Sequence, residues 1–322
     1  MKRPLLAVAA VAALSLTACG TTESAAPAPD ASAGRITLTD ATGAKVTLDG
    51  PATKVVGTEW GVVEDLVSLG VDPVGVADVK GYTTWDEAAP LTGGPKDIGT
   101  RGEPSTDTVA SLKPDLIVAT TDLSSAALKQ LRRIAPVLAV KSADASDQIG
   151  LMKDNLDLIA EATGTSEQAE KVVEEFDAKL AAGRKALAAA GFAGKKLAFA
   201  DGYVASNQVS IRPYTGGSLI GAVNEELGLE NAWTVEGDKA YGLATTDVEG
   251  LTKLGDTEFA YIASDSDGGD PFAEDLAKNS VWTSLPFVKE DRVHRLPEGI
   301  WMFGGPASMG AYADAVVDVL TK

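Results

Sequence analysis

The chain has 322 residues, with 28 Lys and Arg against 46 Asp and Glu and a formal net charge of −18 at pH 7. So acidic a surface argues against nucleic acid and against an anionic membrane face as partners. A single Cys and a single His leave no disulfide and no Cys-based zinc or iron–sulfur site, so the folded domain must be stabilised by its core. A length of about 300 residues suffices for that and suggests two lobes rather than one.

Residues 1–18 have the parts of a signal peptide. Lys2 and Arg3 form a positively charged n-region, and an uncharged run of mainly Ala, Val and Leu follows over residues 5–16. That run is too short to span a bilayer, which needs about 20 residues. The Leu-Thr-Ala-Cys-Gly segment at residues 16–20 resembles the lipobox of bacterial lipoproteins, where the Cys is lipidated and becomes the first residue. We expect Cys19 to anchor an extracytoplasmic protein to the outer face of the cell membrane; the alternative is an ordinary secretory signal with an incidental Cys.

The next segments predict a tether and then an α/β lobe over residues 35–145. Residues 19–34 are rich in Ala, Pro, Ser and Thr and favour a flexible tether. Residues 35–40 and 45–48 alternate in period two around a turn and predict a β-hairpin. Apolar strands then alternate with helical patterns, which indicates a mostly parallel sheet. The strands are expected at 54–57, 73–77 and 115–119, and the helices at 60–69, 106–112 and 124–134.

A long helical stretch separates this lobe from a second one. Residues 147–187 are rich in Ala, Glu, Lys and Leu, with a break at residues 164–166 where Ser166 is a candidate N-cap. The connecting segment is therefore placed at 146–190, with one long helix from 167 to 190. A second α/β series fills 191–322, with strands at 196–200 and 259–263 and helices at 218–227, 246–254 and 308–320.

Several segments in this order resemble one family, the iron-siderophore and cobalamin binding proteins of ABC importers. They lie at residues 64–78, 112–118, 134–137, 282–288, 291–294 and 301–306. The resemblance implies two α/β lobes joined by one long rigid helix, with the ligand in the cleft between them. It also implies a monomeric solute-binding protein, not an enzyme, that delivers its ligand to an ABC importer permease.

The segment Asp-Ile-Gly-Thr-Arg-Gly-Glu-Pro-Ser at residues 97–105 looks like the Gly-x-Arg-x-Glu-Pro pattern of hydroxamate-siderophore binders. In that pattern the Arg donates hydrogen bonds to the iron-coordinating oxygens. A guanidinium suits partial negative charge spread over adjacent oxygens, because it is a planar fork of donors that is always charged. Arg101 is therefore the first candidate ligand contact, against the alternative of a surface Arg. Ser105 stands where Asn is common, which affects the turn more than the ligand.

Aromatic residues in loops and at element ends provide further candidates. Loop aromatics suit a cleft that wraps an apolar, hydrogen-bonding ligand. Trp301 and Phe303 match the family's Trp-x-aromatic pattern, and Trp233 matches its Asn-Ala-Trp segment. For each ring, burial in the core is the alternative. The aromatic candidates are Trp60, Trp85, Tyr214, Trp233, Trp301 and Phe303.

The metal-ligating side chains and the charged residues of the chain indicate which ligand to expect. His294 is the only His and is interpreted as structural, so a bare Zn²⁺ or Mn²⁺ site of His and carboxylates is disfavoured. Any metal must then arrive in its own chelator, as iron(III) in a siderophore, and no intrinsic cofactor is expected. Arg101 and Arg212 are the only well-placed cations, which favours a nearly neutral hydroxamate or mixed chelate over a catecholate with a charge of about −3. Cobalamin, ferric citrate and haem remain alternatives.

Two acidic residues are candidates for contact with the permease. In the family an acidic residue on each lobe meets a basic pocket of the permease, and Asp107 and Glu249 fill those positions, Asp107 where Glu is usual. Both also suit the first turn of a helix, and Glu249 would complete a capping box with Thr246. Alternatives outside this class are a surface-anchored hydrolase, which the missing acid–base set disfavours, and a structural cell-envelope lipoprotein.

Overall fold

The structure is a computed structural model that describes residues 34–206 and 208–322. The predicted signal peptide, Cys19 and the tether up to residue 33 lie outside the described residues. From Arg35 to Lys322 the chain is one unit. None of the helices in the described ranges has the length and apolar character needed to cross a membrane.

The first lobe is a parallel sheet preceded by the expected hairpin. The hairpin strands are β1 (Ile36–Thr39) and β2 (Lys45–Leu48), and the sheet strands are β3 (Val55–Gly57), β4 (Gly75–Val76), β5 (Lys96–Asp97), β6 (Leu116–Thr120) and β7 (Val137–Val140). The helices are α1 (Trp60–Ser68), α2 (Val79–Trp85), α3 (Thr106–Leu112) and α4 (Ser125–Leu131). The sheet order is β5-β4-β3-β6-β7. Because β6 and β7 are buried along their whole length, they read as continuous apolar runs.

Two helices leave the first lobe, and the second of them connects the two sheets. They are α5 (Gln148–Thr163) and α6 (Ser166–Ala189), separated by Gly164 with φ of +71°. Such a left-handed residue ends a helix at little cost when it is Gly. Ala169 near the start of α6 packs in the first-lobe core, whereas Leu180 and Leu187 pack in the second-lobe core. The expected long connecting helix is thus present, spanning from one core to the other.

The second lobe carries another sheet. Its strands are β8 (Lys196–Ala205), β9 (Gln208–Pro213), β10 (Glu230–Asn231), β11 (Glu258–Tyr261) and β12 (Val293–Arg295), and its helices are α7 (Leu219–Glu226), α8 (Pro286–Lys289) and α9 (Pro306–Thr321). The parallel order is β10-β8-β11-β12, and β9 pairs antiparallel with β8. The predicted fold class, two α/β lobes joined by a long helix, is confirmed.

Local differences from the expected elements lie mainly in the second lobe. The helix expected over residues 246–254 is a short 3-10 helix at Gly250–Lys253. Thr246 does not cap it, because its backbone pairs with Ile211 of β9, and Asp247 Oδ1 instead accepts from the Gly250 N–H at 3.1 Å. The strand expected at 196–200 continues to residue 205 because β9 pairs with its outer half. The N-cap of α6 is Thr165 rather than Ser166.

Candidate functional site

A cavity of about 420 Å³ lies between the two lobes. On the first lobe its wall follows the carboxyl ends of three parallel strands, where Glu59, Thr120 and Lys141 come at or just after β3, β6 and β7. On the second lobe its wall includes Arg212 and Tyr214 at the end of β9. Crevices outside the carboxyl ends of parallel strands are the usual ligand sites of open α/β sheets. The cavity is therefore the candidate ligand-binding site.

Arg101 stands on the first-lobe wall of this cavity. The loop that carries it turns at Gly99, whose φ is +97°. Its Nη1 donates to Glu59 Oε1 at 2.8 Å, and its Cζ lies 3.9 Å from the Trp60 ring centre and 5.1 Å from that of Trp301. A guanidinium stacked on an indole and held by a carboxylate is fixed in orientation. Its remaining N–H groups are available for a ligand in the cavity.

Trp60 lies behind Arg101 and does not line the cavity. The ring is 4% exposed, its Nε1 donates to Ala77 O at 3.2 Å, and it meets Trp301 edge-on at 4.7 Å. Gly81 lets the chain pass close to this ring, since a Cβ there would collide with it. Trp60 is a platform that positions Arg101 and Trp301 and lies outside the predicted ligand contact surface.

Trp301 and Phe303 form the aromatic part of the cavity wall. Their ring centres are 5.2 Å apart, and both side chains line the cavity. The Trp301 Nε1 is buried and has no hydrogen-bond partner among the described residues. A buried donor without a partner is costly, and a ligand acceptor could satisfy it.

Arg212 is the cation on the second-lobe wall of the cavity, as Arg101 is on the first-lobe wall. Its guanidinium forms a bidentate pair with Asp201, its cross-strand neighbour in the hairpin of β8 and β9. It also lies 5.4 Å from the Phe303 ring centre. Tyr214 is buried beneath it and accepts from Arg212 Nη2 at 3.4 Å, and burial raises the pKa of the Tyr214 phenol. The phenol therefore stays protonated.

The structure brings five of the eight predicted ligand residues to the cavity wall: Arg101, Arg212, Tyr214, Trp301 and Phe303. It does not bring Trp85 or Trp233 there. Trp233 is 9% exposed and packs under the second sheet, where its Nε1 donates to Phe199 O at 2.8 Å. Trp85 instead donates from its Nε1 to Asp267 Oδ2 at 2.8 Å and so links the two lobes. The interpretation of these two rings as ligand contacts does not fit their placement, because their polar atoms are used by the protein.

Sequence reasoning missed residues that join the two walls. Tyr241 lines the cavity, meets Phe303 edge-on at 5.6 Å and donates its hydroxyl to Asp122 on the opposite lobe. Gln148 at the start of α5 donates to the carbonyls of Gly217 and Ala240 in the second lobe. Tyr241 is an aromatic next to a Gly in a loop, the same signal that selected the other candidates. Nothing in the chain order marks Asp122 or Gln148.

Three buried carboxyl groups lie beside the cavity at the start of α9. Glu64 Oε1 accepts from the Ser308 N–H at 2.8 Å, and Ser308 Oγ donates to Asp86 Oδ1 at 3.4 Å. Burial raises the pKa of Asp86 to about 10, with the Glu64 charge adding to the effect. Burial and Glu64 together also raise the pKa of Asp65, which lines the cavity. Asp86 therefore holds its proton at neutral pH, while Glu64, whose pKa burial also raises, accepts from the Ser308 N–H at the start of α9.

The predicted docking residues and the single His lie outside the cavity wall. Asp107 is exposed in the first turn of α3, whose N-cap Ser105 accepts from the Thr108 N–H. Glu249 is exposed before the 3-10 helix of the second lobe. His294 lies in β12 against Glu258 Oε2 at 2.8 Å. Within the described ranges no group of three or more His, Cys, Asp or Glu side chains is arranged to hold a metal ion.

Comparisons with known proteins agree with this geometry. A family model described as "Periplasmic binding protein" matches residues 55–299. The Fe(3+)-citrate-binding protein YfmC of Bacillus subtilis is 28% identical over 80% of this chain and 77% of its own. The Iron(3+)-hydroxamate-binding protein FhuD of the same organism is 29% identical over 99% and 96%. The crystal structure of Vibrio cholerae FhuD bound to Fe3+-Desferal matches with a TM-score of 0.75 and 26% identity, over 84% of this chain and 98% of that one.

Proposed function

The chain belongs to the periplasmic binding protein family, and on that premise we propose that it captures ferric siderophores of hydroxamate type for an ABC importer. The family is one of solute-binding proteins, and we propose that this chain binds its ligand reversibly and leaves it chemically unchanged. The iron is cargo and arrives inside its chelator. The cavity between the lobes is the proposed binding site.

Arg101 is the observation that carries this proposal. Its guanidinium is oriented by Glu59 and by stacking on Trp60, and it faces a cavity whose walls also present Trp301 and Phe303. Hydroxamate oxygens bound to iron carry partial negative charge on adjacent atoms. A fixed fork of N–H donors matches that arrangement, and aromatic walls match the apolar chain between the hydroxamate groups.

The charge of the cavity supports a nearly neutral chelate. Each of the three cations on its wall is already paired with a carboxylate: Arg101 with Glu59, Arg212 with Asp201 and Lys141 with Asp144. A tris-catecholate with a charge of about −3 would have to enter without free cations, against a chain of net charge −18. The names of the relatives include both ferric citrate and hydroxamate binders, and the cavity charge favours the second group.

A ligand panel tests this function. The domain of residues 35–322 is titrated with ferrioxamine, ferrichrome, ferric enterobactin, ferric citrate and cobalamin, with intrinsic Trp fluorescence as the signal. We expect saturable quenching by a hydroxamate chelate at sub-micromolar concentration, and weaker binding by Arg101→Ala. Quenching by another chelate alone would contradict the ligand class, and silence with all five would contradict the receptor function.

The proposed function also includes delivery of the ligand to a permease at the membrane. Relatives are named as lipoproteins, and we propose that Cys19 is lipidated and that Asp107 and Glu249 contact the permease. Asp107 is exposed in the first turn of α3, the helix that follows the Arg101 loop. Lipidation is tested by labelling cells with radioactive palmitate. The wild-type chain should carry the label, and a Cys19→Ala chain that still carries it would contradict the anchor.

A further inference from the structure

The hairpin of β8 and β9 reaches beyond the second sheet. Strands β10 and β11 pair with β8 only over residues 196–200, so residues 201–205 of β8 are paired with β9 alone. This outer part leaves the sheet at the carboxyl end of β8, and in parallel sheets that end faces the ligand crevice. Arg212 lines the cavity and stands opposite Asp201, at the base of the outer part. The hairpin therefore continues outward from the cavity wall.

The two faces of this hairpin have different surroundings. Because side chains alternate across a strand, Gly202 and its partner Ile211 share one face. Ile211 is buried in the second-lobe core, and a Cβ on Gly202 would lie 3.2 Å from Phe272 Cζ. Tyr203 lies on the other face, together with Arg212. The first face is thus covered by its own lobe, and the second face carries the cavity wall.

Exposure rises outward along the cavity-facing side. Tyr214 is 1% exposed, the pair of Asp201 and Arg212 is partly exposed, and Tyr203 is 57% exposed. Tyr203 comes two residues after Asp201, about 7 Å further along the strand. It is the most exposed large hydrophobic side chain among the described residues. This face therefore runs from the core, through the cavity wall, to an aromatic ring in solvent.

We infer that Tyr203 is a ligand contact at the rim of the cavity, where its ring covers the methylene chains that join the hydroxamate groups of the chelate. This inference rests on the proposed function and names a residue that selects within that ligand class. The N–H groups of Arg101 serve the iron-bound oxygens, which every ferric hydroxamate has. A ring at the rim meets only ligands that project there, so it favours chelates with apolar chains between their hydroxamates.

Two ligands with the same iron centre test the inference. Ferrioxamine B joins its three hydroxamates by methylene chains, and ferric tris(acetohydroxamate) lacks such chains. Each is titrated into the residue 35–322 domain with Trp fluorescence as the signal, which Tyr203 variants leave in place. We expect Tyr203→Ala to weaken ferrioxamine binding about tenfold, because the chains then stay in water, and to change binding of the acetohydroxamate complex less than about twofold. Tyr203→Phe keeps the ring and should bind ferrioxamine as the wild type does.

The matched control is Val204→Ala on the same strand. Val204 is 48% exposed and lies on the face of Gly202, so its loss should leave both affinities unchanged. Thermal unfolding of each variant, followed by circular dichroism, shows whether the fold is intact.

The outcomes separate this inference from the proposed function. An unchanged affinity of Tyr203→Ala for ferrioxamine, or an equal loss in Val204→Ala, would overturn the inference and leave the hydroxamate function standing. An equal loss for both chelates would overturn selection by the chains. Failure of the wild type to bind either chelate would instead count against the proposed function.

Discussion

The guanidinium carbon of Arg101 lies 3.9 Å from the centre of the Trp60 ring, so the proposed ligand contact is supported by an indole that does not itself line the cavity. The indole is fixed in turn by its hydrogen bond to Ala77 O. Replacement of Arg101 by Lys keeps the charge but removes both the planar fork and the stacking surface. We expect Arg101→Lys to weaken hydroxamate binding about tenfold and Arg101→Ala about a hundredfold, measured by fluorescence titration. Equal affinity of the Lys variant and the wild type would show that only charge matters.

The hydrogen bond between Tyr241 and Asp122, which crosses the cleft, should control the rates of ligand entry and release. If the bond must open for entry and closes again over the bound chelate, its loss accelerates both steps. We expect Tyr241→Phe, which keeps the ring on Phe303, to raise the association and dissociation rate constants about threefold or more in stopped-flow fluorescence. A change in dissociation alone would mean that the hydroxyl is a simple ligand contact.

The buried carboxyl group of Asp86 should make stability depend on pH. Its pKa is about 10 in the folded protein and near 4 when unfolded, so its contribution to folding is fully present below pH 4 and is lost as pH rises towards 10. Asp86→Asn keeps a donor towards Glu64 and removes the titration. We expect this variant to melt about 3 °C or more above the wild type at pH 8, with a smaller gain at pH 4.5. A lower melting temperature at both pH values would contradict this role.

The start of α9 should tolerate no side chain at Gly304. A Cβ there would lie within 2.8 Å of Ser308 Oγ and still closer to Glu64 Oε2. Gly102, in the Arg101 loop, has open space around the same position and serves as the matched control. We expect Gly304→Ala to lower the free energy of unfolding by about 2 kcal/mol or more in denaturant titrations, and Gly102→Ala by less than about 0.5 kcal/mol. Similar losses in both variants would contradict the packing argument.

The proposed docking residues should separate binding from transport. Asp107 and Glu249 are exposed and outside the cavity wall, so their loss should leave the affinity for the chelate unchanged. We expect the double variant Asp107→Ala and Glu249→Ala to reduce cellular uptake of radioactive iron from the chelate about tenfold or more, since each charge would lose a basic partner on the permease. Normal uptake by the double variant would place docking elsewhere.

Most elements of the first lobe could be predicted because their signals are local. The strands β3, β4 and β6 are short buried apolar runs, the helices have clear N-caps such as Ser105, and the hairpin alternates strictly. Prediction failed where pairing with a distant segment decided the outcome. Thr246 pairs with Ile211 instead of starting a helix, and the outer half of β8 exists because β9 lies beside it.

The chain alone determined the composition of the site: a fork-shaped cation in a Gly-Pro loop, aromatic residues after strands and too few free cations for a highly anionic ligand. Only the tertiary structure decided which of those residues meet. Trp60 and Trp233 carry the same loop signal as Trp301, yet they do not line the cavity, and their Nε1 atoms donate to backbone carbonyls of other elements. The pairs of Arg101 with Glu59 and of Tyr241 with Asp122 join residues 42 and 119 positions apart. Local patterns encode burial and caps, whereas a contact across a cleft depends on how two sheets are placed by the helix between them.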